Sequence, residues 1–306
     1  MNEITVRAPA SVSNVVCGFD CLGFALRAPF DEMTVRLLDE KTVRVKHLDG
    51  YDLPTSAKKN VAGKAVLTLL EAVEENVGFE IEITKHIKPG SGIGSSSASA
   101  VGAVAAANKL LGERFSKLEL AEFALAGEFV ASQSRHADNV APCLYGGFTL
   151  VRSVAPLDIV QLEFPELFVT VIHPQIEIKT SDARKILPSE IPLREAVKQW
   201  ANVGALVAAL SKGDYHLLAR ALEDRIVEPL RKKLIPKFDD LKRESTAAGA
   251  LGGGISGSGP SVFMLSETLA VAQKVENAMR EIYAATAIDF NIYVSEINSE
   301  GVSYAV

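Results

Sequence analysis

Pro89, Gly90, Ser91, Gly92, Ile93, Gly94, Ser95, Ser96 and Ser97 form a run of glycines and hydroxyls that suits an anion. Glycine at every second position lets the backbone take positive φ and turn its N–H groups toward one point. The small residues that follow from Ser95 predict a helix whose positive end faces the same point. A turn that only joined a strand to a helix would not need this density of donors. The run lacks the Gly-Lys-Ser/Thr ending of the Walker loop, and its spacing is not that of the dinucleotide fingerprint. A serine hydroxyl here could also reach a magnesium ion that bridges nucleotide phosphates. Upstream, Asp20 lies in the apolar segment Gly18-Phe-Asp-Cys-Leu-Gly-Phe24, where a carboxylate is costly to bury without a partner. A turn-capping Asp is the plainer alternative. Asn14 offers both a donor and an acceptor, which suits a hydroxyl or a phosphate.

These residues need a scaffold to hold them. Residues 3–8, 32–38 and 41–47 are rich in β-branched types, and Phe79-Glu-Ile-Glu-Ile-Thr84 alternates with a period of two, so a strand feeds the glycine run directly. Val61, Ala62, Ala65, Val66, Leu69, Leu70 and Val73 recur at helical spacing, which predicts an amphipathic helix on a sheet. Residues 95–111 are small or apolar on every side, which predicts a buried helix, and Ser116 with Glu119 forms a capping box for a helix over 116–129. Strands return over 147–173, broken by Pro156 and Pro165, and a domain boundary is expected near 155. The second half predicts helices at 181–187, 193–211, 214–223 and 236–248, strands around 252–265, a helix at 267–285 and closing strands at 289–297 and 301–305. No regular βαβ beat runs through this order, so an α+β architecture is expected.

Hydrophobic residues make up 48% of the 306 and charged residues 23%, as in folded domains. The formal charge of −6 supplies no bulk drive toward nucleic acid or an anionic membrane, so an anionic ligand must be held by local geometry. No apolar run approaches the length that spans a bilayer, and a cytoplasmic protein with no membrane partner is expected. Cys17, Cys21 and Cys143 have neither a CxxC pair nor zinc-like spacing, so reduced thiols are expected, with alkylation sensitivity at the two that flank Asp20.

Pro89-Gly-Ser-Gly-Ile-Gly-Ser-Ser96 resembles the phosphate-binding motif of the GHMP kinases. Ala8-Pro-Ala-Ser-Val-Ser-Asn14 with Gly18-Phe-Asp20 resembles the first motif of that superfamily, and Gly252-Gly-Gly-Ile-Ser-Gly-Ser-Gly-Pro260 its third. Ser134-Arg-His-Ala-Asp-Asn-Val-Ala-Pro142, closed by Gly146-Gly-Phe148, is similar to the signature of the homoserine kinase family within it. The four motifs stand in the family's order between about residues 7 and 263.

The resemblance implies a nucleotide-binding domain over 1–155, a ferredoxin-like domain over 156–306 and an active site between them. It implies transfer of the γ-phosphoryl group of ATP, with Mg²⁺, to the hydroxyl of L-homoserine on the way to threonine. Asp20 would receive the substrate ammonium, and Arg184 and Arg231 its carboxylate as guanidinium forks, with Thr180 and Gly257 contributing less. Arg225 rivals Arg231 for that role. Ser96 and Glu128 would hold the metal. Where several relatives place a catalytic Asp this chain has Asn139, which cannot take a proton. Asn139 and Asn14 would then orient the hydroxyl while its proton leaves to phosphate or solvent, with Asp138 the second choice as base. His136 would orient the substrate or serve as a structural hydrogen-bonder. Relatives suggest a homodimer. Two rivals are a kinase for another small alcohol, which would need no ammonium receiver, and a silent sensor, which would have lost a metal ligand or a loop glycine.

Overall fold

A computed structural model describes residues 2–178 and 180–305, with the backbone alone for Thr180 and Ser181. The first half runs β1 (Glu3–Ser13), β2 (Leu22–Leu38), β3 (Val43–His47), α1 (Val61–Glu71), β4 (Gly78–Thr84), α2 (Ser95–Leu110), α3 (Lys117–Ser132), α4 (Val140–Tyr145), β5 (Phe148–Val154) and β6 (Leu157–Leu162). The 17-residue β2 organises this sheet. It pairs antiparallel with β1 along its length, with β4 through Glu32–Leu38 and with β5 through Leu22–Phe24. β3 lies parallel to β4, and β6 pairs with β5.

The second half runs β7 (Phe168–Pro174), α5 (Thr180–Lys185), α6 (Leu193–Lys212), α7 (Tyr215–Ala221), α8 (Glu228–Arg231), α9 (Phe238–Ala247), β8 (Gly252–Ile255), β9 (Val262–Ser266), α10 (Leu269–Ala284), β10 (Phe290–Glu296) and β11 (Ser303–Tyr304). β7 to β10 make a separate antiparallel sheet in the order β10-β7-β9-β8, on which α9 and α10 pack. β11 returns to pair with β1, so the end of the chain ties back to the first sheet. The chain changes sheet between Leu162 and Phe168. Two sheets with helices segregated on them make an α+β fold, as the element order predicts.

α2 is the pivot of the first half. Residues Ser97 to Asn108 of this helix are all buried, which only small and apolar side chains allow. It lies so close to β2 that a Cβ on Gly102 would sit 2.0 Å from the Met33 side chain. Ser116 and Glu119 make the reciprocal capping bonds that their spacing predicts, starting α3 one residue later.

The structure differs from the sequence expectation at the elements that reach the site. β1 continues past residue 8 to Ser13, with a register shift between Pro9 and Ser11, so it delivers Ser13 and Asn14 to the cleft and buries Ser11 behind Asn139. α4 and α8, of six and four residues, were not foreseen because so short a helix shows no periodicity. They carry Asn139, at the N-cap of α4, and Arg231.

Candidate active site

One cleft, with a volume of about 370 Å³, lies where the two sheets meet. Its floor is the glycine loop between β4 and α2. Gly90, Gly92 and Gly94 have φ of 74°, 82° and 71°, the left-handed region that favours glycine. A Cβ on Gly92 would lie 2.7 Å from the Gly259 carbonyl oxygen and 2.8 Å from that of Ser256. The second glycine-rich segment therefore packs directly on the first. Ser256 Oγ donates to the Gly92 carbonyl and Ser261 Oγ to that of Ser91, both at 2.7 Å. Gly94 is the N-cap of α2 and no side chain caps that end, which leaves its amides turned to the cleft. Pro89, Gly90, Gly92, Gly94, Ser95 and Ser96 line the cleft, but Ser91, Ile93 and Ser97 turn inward and are buried. Ser95 Oγ is spent on the Ile87 carbonyl at 2.8 Å.

Ser96 Oγ donates to Glu128 Oε2 at 3.1 Å, joining α2 to α3 beside the loop. The other oxygen of Glu128 is buried and has no hydrogen-bond partner among the described residues. Burial raises the pKa of this carboxyl group, against the pull of the Ser96 hydroxyl. An orphaned carboxylate oxygen beside a serine hydroxyl fits a cation. No group of three or more His, Cys, Asp or Glu side chains among the described residues could hold a metal by itself. A cation here would complete its shell with oxygens of a bound ligand and water, as magnesium does.

The acceptor end is built on the turn between β1 and β2, where Asn14, Val16 and Asp20 all have positive φ. For a β-branched Val that is a strained conformation, and the surroundings must hold it. Asn14 does much of the holding. Its Oδ1 accepts the Asp20 amide at 2.8 Å and its Nδ2 donates to the Gly257 carbonyl at 2.8 Å. Asn14 thus positions the Asp20 segment against the second domain's loop rather than presenting a free amide.

Arg184 Nη2 from α5 reaches both Asp20 oxygens, at 2.9 and 3.1 Å, and donates to His136 Nε2 at 2.9 Å. Since arginine has no acceptor, His136 receives that bond on Nε2 and carries its proton on Nδ1, 3.7 Å from Asp20 Oδ1. Burial lowers the His136 pKa, with Asp20 pulling the other way, which suits this neutral form. Arg184 Nε is buried and unpartnered among the described residues. Arg231, 3% exposed, donates to the carbonyls of Ala183 at 3.0 Å and Gly257 at 3.1 Å. The Phe19 ring lies 5.6 and 5.1 Å from the Arg184 and Arg231 guanidinium centres, so both cations pack on one aromatic ring. Arg225 is bound outside the cleft by Glu195 and Glu223, so it does not compete with Arg231. Thr180 opens α5, and its side chain lies outside the described residues.

Between the two ends stands Asn139. Its Oδ1 accepts from Ser11 Oγ and its Nδ2 donates to Ser13 Oγ, both at 2.8 Å. Asp138 beside it is buried, and burial followed by the nearby Asp20 charge pushes its pKa up to about 7. Ser11 and Ser13 belong to a segment quoted above, but no role for them was foreseen. Their period-two spacing, which puts both on one face of a strand, was the available signal. The far end of the cleft, beyond Gly90, is lined by His47, Leu53, Pro54, Lys59, Asn60 and Val61. Much of that lining comes from the 48–60 loop, where periodicity gives no guide. Burial also pushes the thiol of Cys17 up to about 12 and that of Cys21 to about 11, and raises that of Cys143. At neutral pH burial disfavours the thiolate at all three, which works against the alkylation sensitivity expected from the flanking of Asp20.

Comparison with known proteins agrees with this geometry. The model of the GHMP kinases N terminal domain matches residues 60–147, and that of the GHMP kinases C terminal domain matches residues 206–285. A homoserine kinase of Chloroherpeton thalassium is 46% identical, covering 98% of this chain and 99% of its own. One of Pyrococcus abyssi is 38% identical, covering 95% and 96%. The crystal structure of homoserine kinase from Cytophaga hutchinsonii superposes with a TM-score of 0.96 at 50% identity, over 100% of this chain and 98% of that one. The chain belongs to the homoserine kinase family of the GHMP kinases.

Proposed function

We propose that this protein transfers the γ-phosphoryl group of ATP to the side-chain hydroxyl of L-homoserine, forming O-phospho-L-homoserine for threonine synthesis. One observation carries the choice of acceptor. The cleft that contains the glycine loop also holds an Asp20 carboxylate and two guanidinium groups, the receivers a zwitterionic amino acid needs. Asp20 and Arg184 neutralise each other in this structure. A bound zwitterion replaces that bond with two: its ammonium on Asp20, and its carboxylate on Arg184, whose Nε has no other partner, and on Arg231. An alcohol without an ammonium group would leave Asp20 with nothing to gain.

The loop amides at 90–94 and the positive end of α2 receive the phosphates, and the apolar end at Leu53, Pro54 and Val61 takes the nucleotide base. Ser96 and Glu128 are the residues that would hold Mg²⁺, which neutralises phosphate charge when bound. Asn139, clamped by two serines, orients the acceptor hydroxyl, and the proton leaves to phosphate or solvent in a loose transition state. A second reading, favoured by the pKa of Asp138 near neutrality, makes that carboxylate the proton acceptor. The reading divides the chain near residue 155 into a nucleotide-binding and a C-terminal domain. It also takes the enzyme to be cytoplasmic, since no helix among the described residues is long and apolar enough to cross a membrane. It is a homodimer in the same reading, for which the exposed Leu193, Val197 and Trp200 on α6 offer an apolar stripe.

The test is ADP release from MgATP with L-homoserine, L-serine, L-threonine, mevalonate or no acceptor. Turnover that depends on homoserine, well above the others, is expected. Turnover with mevalonate in its place would overturn the roles of Asp20, Arg184 and Arg231. Binding of ATP without turnover on any acceptor would make the chain a sensor.

A further inference from the structure

Lys85 stands next to the glycine loop and lines the cleft, the usual place for a lysine that grips phosphate. Its bonding excludes that use. The side chain is 2% exposed, and its three N–H groups are taken up by Asp31 Oδ2 at 2.5 Å, the Ser95 carbonyl at 3.0 Å and Ser99 Oγ at 2.9 Å. Asp31 is fully buried, and its second oxygen accepts the amides of His86 and Ile87, both at 2.8 Å. Ser95 Oγ in turn donates to the Ile87 carbonyl at 2.8 Å.

Joined together, these bonds close a ring. It runs from Asp31 on β2 through Lys85 Nζ to the Ser95 carbonyl, on through the Ser95 hydroxyl to Ile87, and back by the Ile87 amide to Asp31. Ile87 precedes the glycine loop and Ser95 follows it. The ring is therefore a buried clasp at the neck of the loop, and residues 88–94 are what it holds closed. Glycines at three positions make the loop free to adopt many shapes, so something outside it must choose one. A charged pair in a dry site fixes distance and direction more firmly than a neutral bond, and it can do so here because all three ammonium protons and both carboxylate oxygens are hydrogen-bonded.

We propose that Lys85 is a positioning residue for phosphoryl transfer: with Asp31 it clasps the neck of the glycine loop and so sets the loop amides and the first turn of α2 for the donor's phosphates. The clasp touches neither the acceptor end of the cleft nor any reacting atom. It rests on the reading that ATP phosphates occupy the loop.

The variants that test it are Lys85→Met and the double variant Lys85→Met/Asp31→Asn, in which no uncompensated buried charge remains and the Asn oxygen still accepts the two amides. MgATP affinity is measured by calorimetry without acceptor, the L-homoserine KM by ADP release, and stability by thermal melting. In both variants the Kd for MgATP is expected to rise about 10- to 100-fold, with the homoserine KM within about twofold of the parent. The melting temperature should fall in the single variant and recover in the double one, because an unpaired buried carboxylate is the main cost of the single change. Return of MgATP affinity together with the melting temperature in the double variant would overturn the proposal, leaving the pair a structural one. So would a homoserine KM that rises in step with the MgATP Kd. Should the single variant fail to fold, the double variant decides alone by the same two constants. An unmodified chain that binds no MgATP would instead sink the functional reading, and this proposal with it.

Discussion

Removing the Arg184 side chain separates the two jobs that the proposed function gives it. Nη2 holds Asp20 and His136, and Nε, which has no hydrogen-bond partner among the described residues, is the group that the proposal turns to a substrate carboxylate. Truncating one partner of a buried charged pair costs about 2–5 kcal/mol. Arg184 is 39% exposed and Asp20 32%, so water screens the contact and the lower half of that range applies. Arg231 remains as a second fork, and an Asp20 freed of its partner attracts the ammonium more strongly, which both limit the loss. The expected penalty for Arg184→Ala is about 2–3 kcal/mol in kcat/KM for L-homoserine, or about 30- to 150-fold, and most of it should appear in KM. Folding stability should fall by no more than about 1 kcal/mol, because the pair is half exposed. The decisive assay compares L-homoserine with L-homoserine amide, which keeps the ammonium and the hydroxyl but lacks the carboxylate. The parent should prefer the acid, and Arg184→Ala should lose most of that preference. Equal losses on the acid and the amide would refute the carboxylate role and leave Arg184 as a prop for Asp20.

Three other outcomes follow from the same geometry. Glu128→Gln removes a buried carboxylate whose second oxygen has no hydrogen-bond partner among the described residues, so turnover should need about tenfold more magnesium and recover in part at saturation; an unchanged magnesium dependence would move the metal site elsewhere. Gly92→Ala should abolish detectable ATP binding in a calorimeter, since its Cβ would lie 2.7 Å from a backbone oxygen, whereas Gly90→Ala meets nothing within 4 Å and should cost only the strain of its φ, about 1 kcal/mol; equal effects at the two sites would show that contact with the second glycine segment is unimportant. Asp138 keeps a proton in the folded chain up to about pH 7 that the unfolded chain has lost, so its contribution to stability is present at low pH and is lost as pH rises through about 7. Asp138→Asn should flatten that decline in urea titrations between about pH 4 and 7, and should lower kcat by less than about tenfold; a loss of a hundredfold or more would make Asp138 the base.

Much of this site is written in short runs of sequence because its parts are backbone devices. A loop that needs positive φ at alternate residues demands glycine at those residues, and an α2 buried on every side demands Ala, Ser and Gly; both show in composition alone. The capping box of α3 is equally local, a four-residue span whose end residues, Ser116 and Glu119, satisfy one another. The α+β architecture followed from the element order, which set the glycine loop between a strand and a buried helix, while the division into two sheets is seen only in the structure.

What the sequence left open is the choice among partners that lie far apart in it. Arg184, Arg225 and Arg231 are the same residue type in similar company, and only packing put Arg225 on surface carboxylates and the other two over Phe19. The roles of Asn14 and Asn139 as clamped amides depend on Gly257 and on Ser11 and Ser13, up to 243 positions away. Lys85 and Asp31 are 54 residues apart, and nothing in either neighbourhood marks them as a pair. A hydrogen bond or ion pair is short-ranged and is made by whichever groups the fold brings together. Sequence alone therefore determined which conformations each segment could adopt and which chemistry it could offer, and tertiary structure decided which of those groups meet.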